Sequence, residues 1–280
     1  QLCERLAARD YQVTFLPVAS SGSLDVVQFD EALRDDTALA AVMLANNETG
    51  IIFPIEELAQ RAAEKGVPLH VDAVQAAGRI SIDVRQAHVA TLALSGHKIH
   101  GPKGVGALYV TPHARLRGQL AGGHQERDLR PGTENVAGIV GFGVAARLAS
   151  TALTESGPAI ASLRDRLEKG IIVRVPTASA IGETASRVCN TANIAFPGVE
   201  AEAILIGLSQ RGLCASSGSA CSSGSLEPSH VLRAMGLDAE TAKGAIRFSL
   251  SRYTTEAEID QAIEIVASVV AKLATMRAAV

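Results

Sequence analysis

The sequence predicts an α/β protein, with a large domain on a mostly parallel sheet over residues 1–153 and a smaller α+β domain over residues 154–280. Three observations predict it. Short apolar runs alternate with helical patterns through the first half, as strand–helix–strand units do. Aromatic residues are only 3% and Trp is absent, so Leu, Ile, Val and Ala must fill the core. Such side chains suit buried parallel strands covered by Ala-rich helices. Hydrophobic residues reach 47% against 20% charged in a chain of 280, enough for about two packed domains and too apolar for disorder.

Taken in order, residues 11–18 read as a strand, 28–34 as a short helix and 39–45 as a nearly continuous apolar strand. Residues 54–65 read as a helix. Ile55, Leu58, Ala59 and Ala62 share one face, Pro54 stands at the start and Gly66 just past the end. Residues 67–71, 89–94 and 104–110 are further strand candidates, and 135–149 a helix rich in Gly and Ala. The polar stretch 151–158 is the expected boundary. Beyond it come a helix at 159–169, strands at 171–175 and 193–196, a helix at 200–211 and a strand at 245–250. Thr255 and Glu258 form a capping box for a terminal helix whose apolar face carries Ile259, Ile263, Val266, Val269, Val270 and Leu273.

Net charge is −3 with no long basic block, which argues against nucleic acid as a partner. No apolar run reaches the roughly 18 residues of a membrane span, and the N-terminus lacks the basic start and apolar core of a signal peptide. Cysteines at positions 3, 189, 214 and 221 form neither a disulfide framework nor a Cys-x-x-Cys zinc motif. A reducing cytoplasm and no intrinsic metal are therefore expected. The chain opens without Met and within a helical pattern, so its beginning is expected to be missing.

Three polar groups follow three successive strands. Asn46-Asn47-Glu48-Thr49-Gly50 follows one, Asp72 ends the next with Gln75 a turn further on, and Ser95-Gly96-His97-Lys98 follows the third. Ligands bind at such strand ends in open α/β sheets. Singly each residue has an ordinary structural reading, Asp72 as a helix cap and Lys98 as a solvated amine. Together they supply what an aldehyde cofactor with a pyridine ring and a phosphate requires: an amine, a carboxylate, and hydroxyl and imidazole donors.

The runs Ala45-Asn46-Asn47-Glu48-Thr49-Gly50, Val71-Asp72-Ala73-Val74-Gln75, Ser95-Gly96-His97-Lys98-Ile99 and Gly101-Pro102-Lys103-Gly104 resemble consecutive motifs of the cysteine desulfurases. So do Gly122 to Glu126, Arg130 to Asn135, Ser216 to Leu237 and Ile246 to Leu250. The motifs occur in order along the whole chain. The resemblance implies a fold-type I transferase of the class V pyridoxal-phosphate family. It implies that Lys98 holds pyridoxal 5′-phosphate as a Schiff base and that Asp72 pairs with the pyridinium nitrogen. Gln75 and Asn47 would lie near the phenolic oxygen, and Ser95 and His97 on the phosphate. Thr133 would reach the phosphate of a neighbouring subunit, making a homodimer part of the site. Arg247 would clamp the substrate carboxylate, which suits a guanidinium fork.

Residues 216–225 are nearly all Ser and Gly around Cys221, which reads either as a flexible linker with an incidental thiol or as a loop that carries a thiolate. The resemblance favours the second reading. It implies that Cys221 takes sulfur from L-cysteine as a persulfide, releases L-alanine and passes the sulfur to an acceptor or iron–sulfur scaffold protein. Transient contact of Cys221 with an iron–sulfur cluster is the one metal contact expected. Cys214, between Leu213 and Ala215, is expected to be a buried structural thiol. His70 reads as structural, and His100 and His124 carry no assigned role. Two alternatives stand beside this reading: another class V enzyme, an aminotransferase or selenocysteine lyase, and a truncated relative that acts as a binding partner.

Overall fold

The computed structural model describes residues 2–218 and 228–278. A short helix α1 (Leu2–Ala7) precedes a long irregular stretch, and α2 (Val26–Ala32) is capped by the Asp25 carboxylate, which accepts from the Val27 amide at 2.8 Å. Strands β1 (Ala40–Met43), β2 (Leu69–Asp72) and β3 (Thr91–Ser95) lie side by side and parallel, and β4 (Gly106–Val110) closes the sheet antiparallel. Helix α3 (Ile55–Glu64) joins β1 to β2 and turns Ile55, Leu58, Ala59 and Ala62 inward. These pack on Leu69, Val71 and Leu92 of the sheet. Gly66, at a φ of +68°, lets the chain leave the helix in the left-handed region.

Helix α4 (Val136–Arg174) carries the chain away from this sheet for 39 residues. The C-terminal part then builds an antiparallel sheet from β5 (Ser179–Ala180), β6 (Thr191–Ala195), β7 (Ser216–Ser217) and β8 (Ala245–Ser249), in the order β5-β6-β8-β7. Helix α5 (Ala201–Ser209) lies between β6 and β7, and α6 (His230–Ala234) and α7 (Ala239–Lys243) precede β8. The terminal helix α8 (Glu256–Ala278) opens on the expected capping box: Glu258 accepts from the Thr255 amide at 2.7 Å, and the Glu258 amide donates back to the Thr255 hydroxyl at 3.3 Å. Ile259, Ile263, Val266, Val269 and Val270 of α8 share one core with Ile194, Phe196, Ile204, Leu208, Ile246 and Phe248.

The structure differs from expectation in three places. Residues 11–18 form no strand; a single bridge from Val18 to Leu24 is their only ladder contact, and Tyr11 and Phe15 are exposed. Residues 151–158 are helical, so α4 joins two stretches read separately, with Pro158 inside it. The polarity of that stretch marks a wetted helix surface and not a break in the backbone. Residues 171–174 are the last turn of α4, not a strand: Ile171 is fully buried and Val173 is 77% exposed, a helical alternation. Among the described residues α4 is also the one helix long and apolar enough to cross a membrane. Its Ala145 and Ala149 pack on Ile99, while Leu167 and Ile171 enter the C-terminal core.

Candidate active site

Because β1, β2 and β3 are adjacent and parallel, their C-terminal ends share one edge. Met43 stands beside Asp72 and Asp72 beside Ala93 in the register, which brings Asn46-Asn47, Asp72 and the Ser95–Lys98 turn together along that edge. Asp72 is half-buried. One of its carboxylate oxygens accepts from the Val74 amide at 2.9 Å, and no cation pairs with it among the described residues. Ser95 is half-buried, His97 exposed, and the Ser95 hydroxyl lies 2.8 Å from His97 Nδ1.

Lys98 sits on a tight 3-10 turn, Gly96–Ile99. The turn is pinned from both sides, since the Gly96 amide donates to Val105 and the Gly101 amide returns to Gly96 at 2.9 Å. A side chain at position 101 would place its Cβ 2.8 Å from the Gly96 carbonyl oxygen, so only glycine closes the turn without a shift. No carboxylate pairs with Lys98 among the described residues. The chain thus offers an amine, a carboxylate with one oxygen uncommitted, and a hydroxyl–imidazole pair on one sheet edge. That donor set fits pyridoxal phosphate.

Arg79 was not legible as a site residue. Its guanidinium donates to the carbonyl of Gln75 at 2.8 Å and to that of Lys98 at 3.2 Å, which ties the Asp72–Gln75 segment to the lysine turn. The sequence shows only an Arg four residues after Gln75. Burial lowers the Arg79 pKa from its ordinary value, opposed by Cys189 and reinforced by Arg247. Burial, then the charges of Arg252 and Arg79, holds the His100 imidazole below its ordinary range. His100 meets the Tyr253 ring edge-on at 5.8 Å. A cavity of about 60 Å³ beside these groups is lined by Lys98, Arg79, His100, Cys189 and Ser251. It reaches Lys98 but touches none of Asp72, Ser95 or His97.

Arg247, on β8, reaches back to the first domain and donates to the main-chain carbonyl of Asn47 at 2.7 Å. A residue expected at the substrate and one expected at the cofactor ring are thereby placed in contact across 200 positions of sequence. Glu48, unremarked as a site residue, is only 3% exposed. Its Oε2 accepts from the Ser229 hydroxyl at 2.5 Å, and its carbonyl accepts from the Asn193 side chain at 3.1 Å. Thr133 is exposed, two residues before Asn135, the cap of α4. Gln75 is half-buried.

Cys221 lies outside the described residues. Cys214 corrects an expectation: it is exposed and lines a cavity of about 310 Å³ with Arg211, Phe248 and Glu258. Its sequence neighbours Leu213 and Ala215 pack against the C-terminal core, while Cys214 itself is left exposed. His70 is structural as read, its Nδ1 lying 2.7 Å from the Thr91 hydroxyl.

Residues 1–262 match the family model described as aminotransferase class-V. The chain is 52% identical over 272 residues to a cysteine desulfurase of Nostoc sp. (strain PCC 7120), covering 97% of this chain and 68% of that protein. It is also 52% identical, with the same coverage, to the cysteine desulfurase NifS of Azotobacter vinelandii. Among solved structures, one described as a NifS-like protein superposes with a TM-score of 0.89 at 34% identity, covering 96% of this chain and 71% of that one. Another, described as SspA in complex with cysteine, gives a TM-score of 0.74 at 35% identity over 91% of this chain and 70% of that one. The expected fold is thus found, and the chain belongs to the class V aminotransferase family.

Proposed function

We propose that this protein is a pyridoxal-phosphate-dependent cysteine desulfurase, converting L-cysteine to L-alanine and collecting the sulfur on Cys221. The relatives at about half identity carry that activity in their names. The observation that carries the reading is the joining of the two halves at the site. Three parallel strand ends present Asn47, Asp72 and the Ser95–Lys98 turn, and Arg247 of β8 is seated on the Asn47 carbonyl.

When bound, pyridoxal phosphate supplies an electron-poor ring that stabilises negative charge at the substrate Cα. Lys98 holds the cofactor through Nζ and moves the Cα proton. Asp72 would keep a proton on the ring nitrogen, with Gln75 and Asn47 beside the phenolic oxygen. Ser95 and His97 bind the phosphate, and Thr133 reaches the phosphate of the other subunit in a homodimer. Arg247 fixes the substrate carboxylate. The Cys221 thiolate attacks the substrate sulfur; the Cβ–S bond breaks with its electron pair passing to carbon, and protonation completes alanine. The persulfide left on Cys221 passes to an acceptor or scaffold protein for iron–sulfur clusters or tRNA thiolation. A reducing cytoplasm keeps that thiol available.

Replacing Cys221 with Ser is expected to abolish persulfide formation and alanine release while the cofactor's visible absorbance persists. Lys98→Ala is expected to lose the covalent cofactor adduct that borohydride traps in the parent protein. Retained alanine release in Cys221→Ser, measured by amino-acid analysis, would overturn the role given to Cys221.

A further inference from the structure

We propose that Glu48 is a positioning residue for sulfur transfer, holding in place the two chain positions that flank the Cys221 segment, Gly218 and Ser229. The inference rests on the reading of Cys221 as the sulfur acceptor. Two observations carry it. The Glu48 carboxylate accepts from the Ser229 hydroxyl at 2.5 Å, and that hydroxyl in turn accepts from the Val231 and Leu232 amides at 3.1 and 3.3 Å. On the other side, a Cβ built on Gly218 would lie 2.6 Å from Glu48 Oε2 and 3.4 Å from Ser229 Cβ. One carboxylate oxygen therefore fills the space between the residue just before the Cys221 segment and a residue just after it.

Glu48 is itself held firmly. Its amide donates to the Asn46 side chain at 2.8 Å, its carbonyl accepts from Asn193 at 3.1 Å, and the preceding carbonyl, of Asn47, accepts from Arg247. The turn that bears it is anchored to β6 and β8 before its side chain touches the flanks of the segment. A buried carboxylate without a cation in direct contact is costly and needs a reason beyond packing. Burial raises the Glu48 pKa, opposed by the Ser229 bond and by the charges of His230 and Arg247, so the group is kept against its desolvation by neighbours on several elements. A Cys that must meet a substrate fixed by Arg247 needs its segment referenced to the same frame as Arg247. The Asn46–Thr49 turn is that frame.

The test compares Glu48→Ala, Glu48→Gln, Ser229→Ala and Gly218→Ala in the full-length enzyme loaded with pyridoxal phosphate. Glu48→Ala and Ser229→Ala are expected to lower kcat for L-cysteine about tenfold, about 1.4 kcal/mol, with KM changed less than twofold, because the Arg247 contact runs through main chain. Glu48→Gln keeps an oxygen for Ser229 and is expected to restore at least half of kcat, which loss of folded protein would not do. Gly218→Ala is expected to fall with Glu48→Ala, and serves where that variant does not fold. In cofactor-free protein, iodoacetamide labelling of Cys221, followed by peptide mass spectrometry, is expected to change at least threefold in Ser229→Ala. Unchanged kcat and labelling in Ser229→Ala and Gly218→Ala would overturn the proposal, as would a Glu48→Gln variant as impaired as Glu48→Ala. If Cys221→Ser still releases alanine, the underlying reading fails instead; if it is inactive and the Glu48 set behaves as wild type, only this inference fails.

Discussion

Two buried carboxylates, Glu168 and Glu48, are held in opposite ways. Glu168 of α4 meets Arg187 through two parallel bonds, at 2.8 and 3.1 Å, and the two side chains are 8% and 6% exposed. Glu48 sits on the turn after β1 and has a hydroxyl as its direct partner, with the nearest charges further off. The first arrangement satisfies a charge completely and leaves nothing to respond to a ligand. The second leaves a carboxylate flush against a glycine, on the residue next to Asn47, whose carbonyl receives Arg247. Paired buried charge marks scaffold here, and incompletely paired buried charge marks the place where the two domains meet the chemistry.

The contrast can be broken most severely on the scaffold side. Arg187→Ala strands Glu168 in the interior, and breaking a buried pair in this way costs about 3–5 kcal/mol. Urea denaturation should record that loss, whereas the double change Glu168→Leu with Arg187→Met should recover most of it, since an apolar pair needs no desolvated charge. A double variant as unstable as the single one would mean the pair does more than neutralise itself. A smaller effect sharpens the Glu48 side. Its folded pKa is raised above the ordinary 4.5, so the folded state binds more protons than the unfolded state between those values. Its contribution is therefore fully present below about pH 4.5 and is lost as pH rises through the folded value. Glu48→Gln removes this titration, so its stability relative to wild type should grow as pH is raised from 4.5 toward neutrality. A pH-independent difference would show that the carboxyl titrates normally.

The elements that could be read from the sequence are those whose determinants lie within one or two turns. Helix α3 carries its Pro54 start, its 55-58-59-62 stripe and its Gly66 stop on adjacent residues, and it forms where expected. Asp72 and the Ser95–Lys98 turn were legible only together, because polar residues follow successive buried strands and a parallel sheet puts such strand ends on one edge. Residues 11–18 failed because strand-forming composition makes a strand only where another strand is available to pair, which a local pattern does not reveal. The β-branched run at 171–173 followed the helix already begun at Val136, tertiary packing of Ile171 overriding intrinsic preference. Glu48 was passed over because a Glu in a polar turn reads as solvated; its burial depends on Ser229, 181 residues away. Arg79 is similar, since its two acceptors, the carbonyls of Gln75 and Lys98, become neighbours only through the sheet.

The thiols extend the same contrast to its smallest measurable effect. Cys189 follows Arg187 on the enclosed side, half-buried, and burial raises its pKa while Arg79 and Arg164 pull it down. Cys214 is exposed beside its open cavity. Because only the thiolate reacts, and only where reagent can reach it, Cys214 should be alkylated by iodoacetamide about tenfold faster than Cys189 near pH 8. Peptide mass spectrometry over a time course resolves the two rates in one sample. Arg79→Met should widen the gap by removing the stronger of the two charges that favour the Cys189 thiolate. Equal rates in the parent protein would mean that the Arg79 charge outweighs burial at Cys189. The region around Arg187 would then be more permeable than its bidentate ion pair implies.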